Sequence, residues 1–269
     1  MNDNKSYSEI IARNDVYTTD SSLYKKKNFP SLSFFYKYVQ IIIKNSKTGK
    51  KGLYDRYEWV NSSIKILRQL EKVGVQFEIT GMNNITETNG PAVFVANHMG
   101  TIETMVLPAI IQAVKPVVYV IKKELTTYPV FRYVINSRYP IVVERKNPRQ
   151  DLITVLKKSK ETIQNGKSII IFAQKTRSNF FNKSEFNSLG VKIAKSNNVP
   201  VIPLALVTDA WANGKFIKEF GKIDPNKRVY LAFGKALTVT GNGSEQYGQV
   251  VKFIEDKFKE WGKLDHIIE

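Results

Sequence analysis

The stretch DLITVLKKSKETIQNGKSIIIFA, residues 151–173, decides the class of fold. Leu152, Val155, Leu156 and Ile163 recur at helical spacing among lysines and polar residues, which predicts a helix over 151–164 with those four side chains inward. Gly166 supplies its stop. SIIIFA, 168–173, then carries no charge and no polar–apolar alternation, as a strand covered on both faces requires.

The same two patterns alternate on either side. VQFEIT (75–80), AVFVAN (92–97), PVVYVI (116–121), YPIVVER (139–145), VPVIPLAL (199–206) and RVYLAFG (228–234) read as strands. TMVLPAIIQAV (104–114), with Pro108 close enough to its start to be tolerated, and segments 184–196 and 245–261 read as helices. GMNNITETNGP (81–91) is turn chemistry. The expectation is an α/β domain over 74–269, with a mixed, largely parallel sheet flanked by helices.

Residues 1–73 form a separate N-terminal helical segment in this reading. Residues 1–30 read as loosely structured and close on Lys25, Lys26 and Lys27. From Ser31 to Ile43, Phe34, Tyr38 and Ile41 fall at helical spacing with Phe35 and Ile42 beside them, and Lys37, Lys44, Lys47, Lys50 and Lys51 lie within or after the run. Two readings stand: a helix packed on the main domain, or an interfacial helix with its aromatic face in lipid and its lysines over anionic headgroups. A second helix runs from Tyr54 to Lys72 with Tyr57, Val60, Ile64 and Leu67 on one face.

The chain has 269 residues, 42% hydrophobic and 24% charged, enough for a sizeable core. Its 41 Lys and Arg against 24 Asp and Glu give a net charge of +17, which points to an anionic partner. Aromatics and lysines are not interleaved as in a nucleic-acid-binding motif, so a membrane surface or a phosphorylated substrate is expected rather than nucleic acid. The absence of cysteine excludes disulfides, thiolate metal sites and cysteine nucleophiles. No glycine-rich nucleotide loop and no GxSxG elbow occurs. The N-terminus does not read as a secretory signal, and no apolar run approaches the roughly 20 residues that span a bilayer.

One of the two histidines, His98, stands just past the strand AVFVA, where loops of α/β domains carry function. A neutral imidazole there can take a proton from a hydroxyl if an acceptor fixes its tautomer, and Glu103 follows five residues on. Alone, the pair reads more simply as a polar loop residue and a helix-start acid. His266, in the tail LDHIIE, reads as a solvated residue.

Four blocks in order carry a resemblance. NHMGTIE (97–103) resembles the NHxxxxD block of the glycerolipid acyltransferase family, the 1-acylglycerol-3-phosphate acyltransferases. VVER ends at Arg145, where that family keeps an arginine after a strand. FAQKTRS (172–178) stands where it has FPEGTRS, and VPVIPLAL resembles its PVVPVA-type segment. Gly190 falls where a helix glycine is common in the family. The resemblance covers roughly residues 74–240.

It implies that His98 is the general base on a lysophospholipid hydroxyl, that Glu103 orients it, and that Arg145, Thr176 and Arg177 bind the substrate phosphate. The implied co-substrate is an acyl thioester, acyl-CoA or acyl-carrier protein, with no cofactor and no metal. The implied site of work is the cytoplasmic face of a membrane, as a peripheral or monotopic protein. Two departures stand out: Glu103 replaces the usual Asp, and Ala173, Gln174 and Lys175 replace Pro, Glu and Gly. Gln174 and Lys175 are therefore candidates for choosing the substrate. Two alternatives stay open: an acyltransferase for another lysolipid, an amino-acid lipid or a glycolipid, and an inactive lipid-binding homologue.

Overall fold

The computed structural model describes residues 15–24 and 27–268. The expectation of loose structure for residues 1–14, and the lysines Lys25 and Lys26, lie outside the described residues. In chain order the strands of the main sheet are β1 (Tyr17–Thr18), β2 (Phe77–Thr80), β3 (Val93–Ala96), β4 (Val117–Lys122), β5 (Ile141–Val143), β6 (Ser168–Phe172), β8 (Val201–Val207) and β9 (Val229–Phe233). They lie side by side as β1-β2-β9-β8-β3-β6-β4-β5. β8, β3, β6, β4 and β5 run parallel, with Val95 of β3 opposite Ile171 on one side and Pro203 on the other. β9 is antiparallel to β8, β2 is parallel to β9, and β1 is antiparallel to β2. This is the expected mixed, largely parallel sheet.

Each central strand is buried on both faces, and its side chains alternate between two cores. Phe94, Ala96, Ile170, Ile202 and Leu204 point to one core, which is closed by α1 (Pro30–Lys50), α2 (Arg56–Lys72) and α4 (Ile102–Leu107). Val93, Val95, Ile169, Ile171 and Val201 point to the other, closed by α6 (Pro148–Gln164), α7 (Leu189–Ser196) and α8 (Ser244–Glu260). The remaining short helices are α3 (Asn83–Thr86) and α5 (Arg132–Asn136). Gly190 of α7 lies against the sheet so closely that a Cβ would stand 2.4 Å from Val95 Cγ2 and 2.8 Å from Ile171 Cγ2.

α1 belongs to the first core: Phe34, Tyr38 and Ile42 are buried, and Phe34 meets the Trp211 ring edge-on at 4.8 Å. The helix also has an outer stripe. Leu32, Tyr36, Val39 and Ile43 recur at spacings of four, three and four and are all exposed, as is Phe29 just before the helix. So α1 packs on the sheet with one face and presents a second apolar face outward.

Several elements differ from expectation. α6 buries Val155 and Ile163 as read, but Leu152 lies on the exposed flank and Ser159 takes the inward place between them. In α2, Val60, Ile64 and Leu67 are buried and Tyr57 is exposed. The 184–196 segment is helical only from Leu189, since the Asn187 N–H is drawn to the Ala173 carbonyl at 2.9 Å; before it, Phe181–Asn182 forms β7, which pairs in parallel with the C-terminal β10 (Ile267–Ile268). Pro108 does not sit near the start of one long helix. α4 ends at Leu107, and Pro108–Gln112 form a π-helical turn, which tolerates the missing proline N–H. His266 is not a solvated residue either: its Nδ1 lies 2.8 Å from the Asn179 carbonyl, beside the paired tail.

Candidate active site

The parallel strands bring their C-terminal ends to one rim, and His98, Lys122, Arg145, Arg177 and Thr208 all lie at or just beyond it. After Ala96 the chain leaves β3 through Asn97, which is wholly buried. Its amide donates to the Leu206 carbonyl at 2.8 Å and accepts from the Leu206 N–H at 2.9 Å. This clip to β8 satisfies side chain and strand together and fixes where the next residue begins.

His98 is then gripped from the β6 side. Its N–H donates to Gln174 Oε1 at 2.9 Å, and its carbonyl accepts from the Ser178 N–H at 2.9 Å. The imidazole stacks on Phe172, centroids 4.1 Å apart, and Phe172 stacks in turn on Tyr119 at 6.0 Å. The FAQKTRS block is therefore the bed of the histidine.

His98 Nδ1 lies 2.9 Å from Glu103 Oε1. The same oxygen accepts from the N–H groups of Met99 and Gly100, each at 2.7 Å, and Oε2 accepts from the Thr208 hydroxyl at 2.6 Å. Glu103 is wholly buried. Burial pushes its carboxyl up, but the His98 contact, the Thr208 hydroxyl and the Gly100 N–H outweigh it and hold the group below its ordinary value. An ionised Glu103 can only accept, so Nδ1 carries the imidazole proton and the Nε2 lone pair is free. No hydrogen bond to Nε2 is made among the described residues, and the side chain is 16% exposed. The imidazole is thus oriented through Nδ1, with Nε2 left without a partner among the described residues. The longer glutamate is accommodated by folding back from the first turn of α4 onto the loop before it.

Arg177 Nη1 bonds Glu219 Oε1 at 3.1 Å and reaches the Thr101 hydroxyl at 3.4 Å. Arg145 has a positive φ of 57°, and its own N–H and that of Glu144 are held by the Asp151 carboxylate at the start of α6. Its guanidinium donates to the Lys175 carbonyl. Arg145 and Arg177 both bear on Lys122, the last residue of β4, whose ammonium is pushed down by burial and then by Arg145, Lys218 and Arg177, with Glu124 opposing. Both expected arginines thus lie within electrostatic reach of Lys122, in one basic region.

Thr176 and Lys175 are exposed loop residues next to it. Gln174 is buried: Nε2 donates to the Phe180 carbonyl at 2.9 Å while Oε1 holds His98. Ala173 is buried in the second core. Lys122, Thr208 and Asn97 were missed by sequence reasoning. A lysine closing the apolar strand PVVYVIK was a signal for Lys122; Thr208 had none. Among the described residues, no three His, Asp or Glu side chains converge as metal ligands.

Residues 76–207 match the profile of the acyltransferase family. A 1-acyl-sn-glycerol-3-phosphate acyltransferase of Pseudomonas aeruginosa is 27% identical over 186 residues, 69% of this chain and 67% of that protein. A probable 1-acyl-sn-glycerol-3-phosphate acyltransferase of Mycoplasma genitalium is 29% identical over 153 residues, 55% of this chain and 56% of that one. The matched stretch thus spans between about half and two thirds of these curated relatives. The crystal structure of the 1-acyl-sn-glycerophosphate acyltransferase PlsC from Thermotoga maritima superposes with a TM-score of 0.64 at 18% identity, over 87% of this chain and 95% of that one, and so shares the fold. The match to the acyltransferase family thus lies over the rim that holds His98 and Glu103, on a fold shared with PlsC.

Proposed function

We propose that the protein transfers a fatty acyl chain from a thioester, acyl-CoA or acyl-carrier protein, to the free hydroxyl of 1-acylglycerol 3-phosphate, giving phosphatidic acid. The observation that carries this is the His98–Glu103 pair, with Nδ1 bound to a buried carboxylate and Nε2 open. Nε2 takes the proton of the acceptor hydroxyl as its oxygen attacks the thioester carbonyl. The tetrahedral intermediate then collapses, the C–S bond breaks, and the imidazolium returns the proton to the leaving thiolate. Glu103 stabilises the imidazolium between these steps. The reaction needs no acyl-enzyme and no cofactor besides the thioester co-substrate.

Arg145, Arg177 and Lys122 give the acceptor's phosphate a cationic seat, with Thr176 beside it as a hydroxyl donor. Gln174 acts through His98, by holding its backbone, and of the three altered positions Ala173, Gln174 and Lys175 the exposed Lys175 is the one left to meet substrate. Acceptors with another headgroup, an amino-acid lipid or a glycolipid, are the alternative that a lysolipid panel decides. An inactive lipid-binding role is opposed by the intact base and its four-donor carboxylate.

A lipid substrate calls for attachment to the bilayer. Among the described residues no helix is long and apolar enough to cross a membrane. The outer stripe of α1, from Leu32 to Ile43, supplies an interfacial face, and Lys37, Lys44, Lys47 and Lys50 on the same helix meet anionic headgroups. We assign the protein to the cytoplasmic face of a membrane as a peripheral protein. The test is acyl transfer in mixed micelles with labelled acyl-CoA and acyl-carrier protein and a panel of lysolipids. Lysophosphatidic acid is expected as the preferred acceptor, and transfer to no lysolipid from either donor contradicts the reading.

A further inference from the structure

Arg177, a guanidinium of the basic region, is not free. Glu219 holds its Nη1 at 3.1 Å, and both side chains are 15% exposed, so the pair is largely desolvated. Glu219 comes from the loop between Trp211 and Ile223, whose base is closed by the Ala212 N–H to the Lys222 carbonyl at 3.0 Å and by a bridge between Trp211 and Ile223. The loop's backbone is pinned at Glu219 itself, since its carbonyl accepts from Trp211 Nε1 at 3.1 Å. Freeing Arg177 therefore needs only a turn of the Glu219 side chain.

Two tyrosines complete the place. Tyr128 lies within electrostatic reach of Glu219 and Arg177. The Tyr38 hydroxyl is buried, bonds nothing, and lies within electrostatic reach of both Glu219 and Arg177. Burial raises its pKa, so it stays a neutral donor. A buried hydroxyl without a partner costs free energy unless a ligand supplies one. The electrostatics also favour an anion: Arg145, Lys218 and Arg177 all bear on Lys122, with Glu124 opposing them, and Glu219 is the carboxylate on Arg177.

We propose that Glu219 is an internal placeholder on an anion seat made by Arg177, Tyr38 and Tyr128, and that a phosphate monoester displaces it on binding. This rests on the reading of Arg177 as a phosphate ligand. A phosphate carries about −1.5 to −2 charges at neutral pH and more acceptor oxygens than a carboxylate, so it satisfies Arg177 and both tyrosines at once, where Glu219 leaves Tyr38 unpaired. The exchange also sets selectivity. An acceptor without a phosphate cannot turn Glu219 out, and Arg177 stays closed to it.

The test is calorimetric binding to the full chain, without acyl donor, so that it reads the seat even if acyl transfer to lysophosphatidic acid proves wrong. The probes are glycerol 3-phosphate, inorganic phosphate and, as the uncharged control, glycerol. Glu219→Gln is expected to tighten glycerol 3-phosphate about tenfold and to leave glycerol unchanged. Tyr38→Phe removes a hydroxyl that bonds nothing in the free protein; it is expected to keep the melting temperature and weaken glycerol 3-phosphate about tenfold, the size of a hydrogen bond to a charged group. In an Arg177→Gln background, Glu219→Gln is expected to give no gain. Equal tightening of inorganic phosphate assigns the seat to the phosphate group alone, and a larger gain for glycerol 3-phosphate assigns it to the acceptor's headgroup; either supports displacement. The proposal is overturned if Glu219→Gln weakens or does not change phosphate binding, if its gain survives without Arg177, or if neither wild type nor Glu219→Gln binds either phosphate at millimolar concentration.

Discussion

Glu103 collects four donors in a site closed to water: His98 Nδ1, the Met99 and Gly100 N–H groups and the Thr208 hydroxyl. Replacing it by alanine strands all four, at an expected cost of about 3 kcal/mol or more, read as a lower urea midpoint. Its carboxyl titrates lower in the fold than in the unfolded chain. The unfolded state therefore takes up the proton first as pH falls, and stability is lost below the ordinary glutamate value as pH drops through the folded one. Wild type should lose urea resistance from about pH 4.5 downward by more than Glu103→Gln, whose amide does not titrate; parallel pH profiles would remove the assignment. Gln174→Glu places a carboxylate against the Phe180 carbonyl that the amide now donates to, and should cost about 1–3 kcal/mol and lower kcat with little change in KM. The His98–Glu103 contact was legible because the two lie only five residues apart, across one short loop and a helix start. Thr208 lies 105 residues from the carboxylate it bonds, and Leu206 lies 109 from Asn97. No local pattern encodes such separations, so the support of the base appeared only in the folded chain.

The strands were read well because double-sided burial leaves unbroken apolar runs such as SIIIFA and VPVIPLAL, and such runs need no partner to be recognised. Helix limits were read less well where distant chain decides them. The bond from the Asn187 N–H to the distant Ala173 carbonyl delays the helix expected from residue 184, and the π turn at Pro108 splits the helix after His98. α7 offers the sharpest test at this scale. Gly190 permits it to touch Val95 and Ile171, so Gly190→Ala must push α7 off β3 and β6. The expected loss is about 1–3 kcal/mol, read as a lower melting temperature, with a further loss for Gly190→Val. An unchanged melting temperature would show that the contact gives way freely.

Across the whole molecule, one rim of the sheet gathers His98, Glu103, Lys122, Arg145 and Arg177, while α1 carries an exposed apolar stripe beside lysines. The formal charge of +17 suggests an anionic partner but does not say which one or where it would bind. Vesicle flotation separates the two contributions. Leu32→Glu with Tyr36→Glu should weaken binding to anionic vesicles about tenfold or more at any salt, while wild-type binding should fall as ionic strength rises. Equal flotation of wild type and the double variant would sink the assignment to α1. The central claim is that His98 removes the acceptor's proton. Its most direct measurement is single-turnover acyl transfer to lysophosphatidic acid in mixed micelles by wild type and by His98→Ala of matched melting temperature. The account predicts a fall of about 10²–10⁴-fold in the rate of transfer for the variant; transfer at the wild-type rate would contradict it.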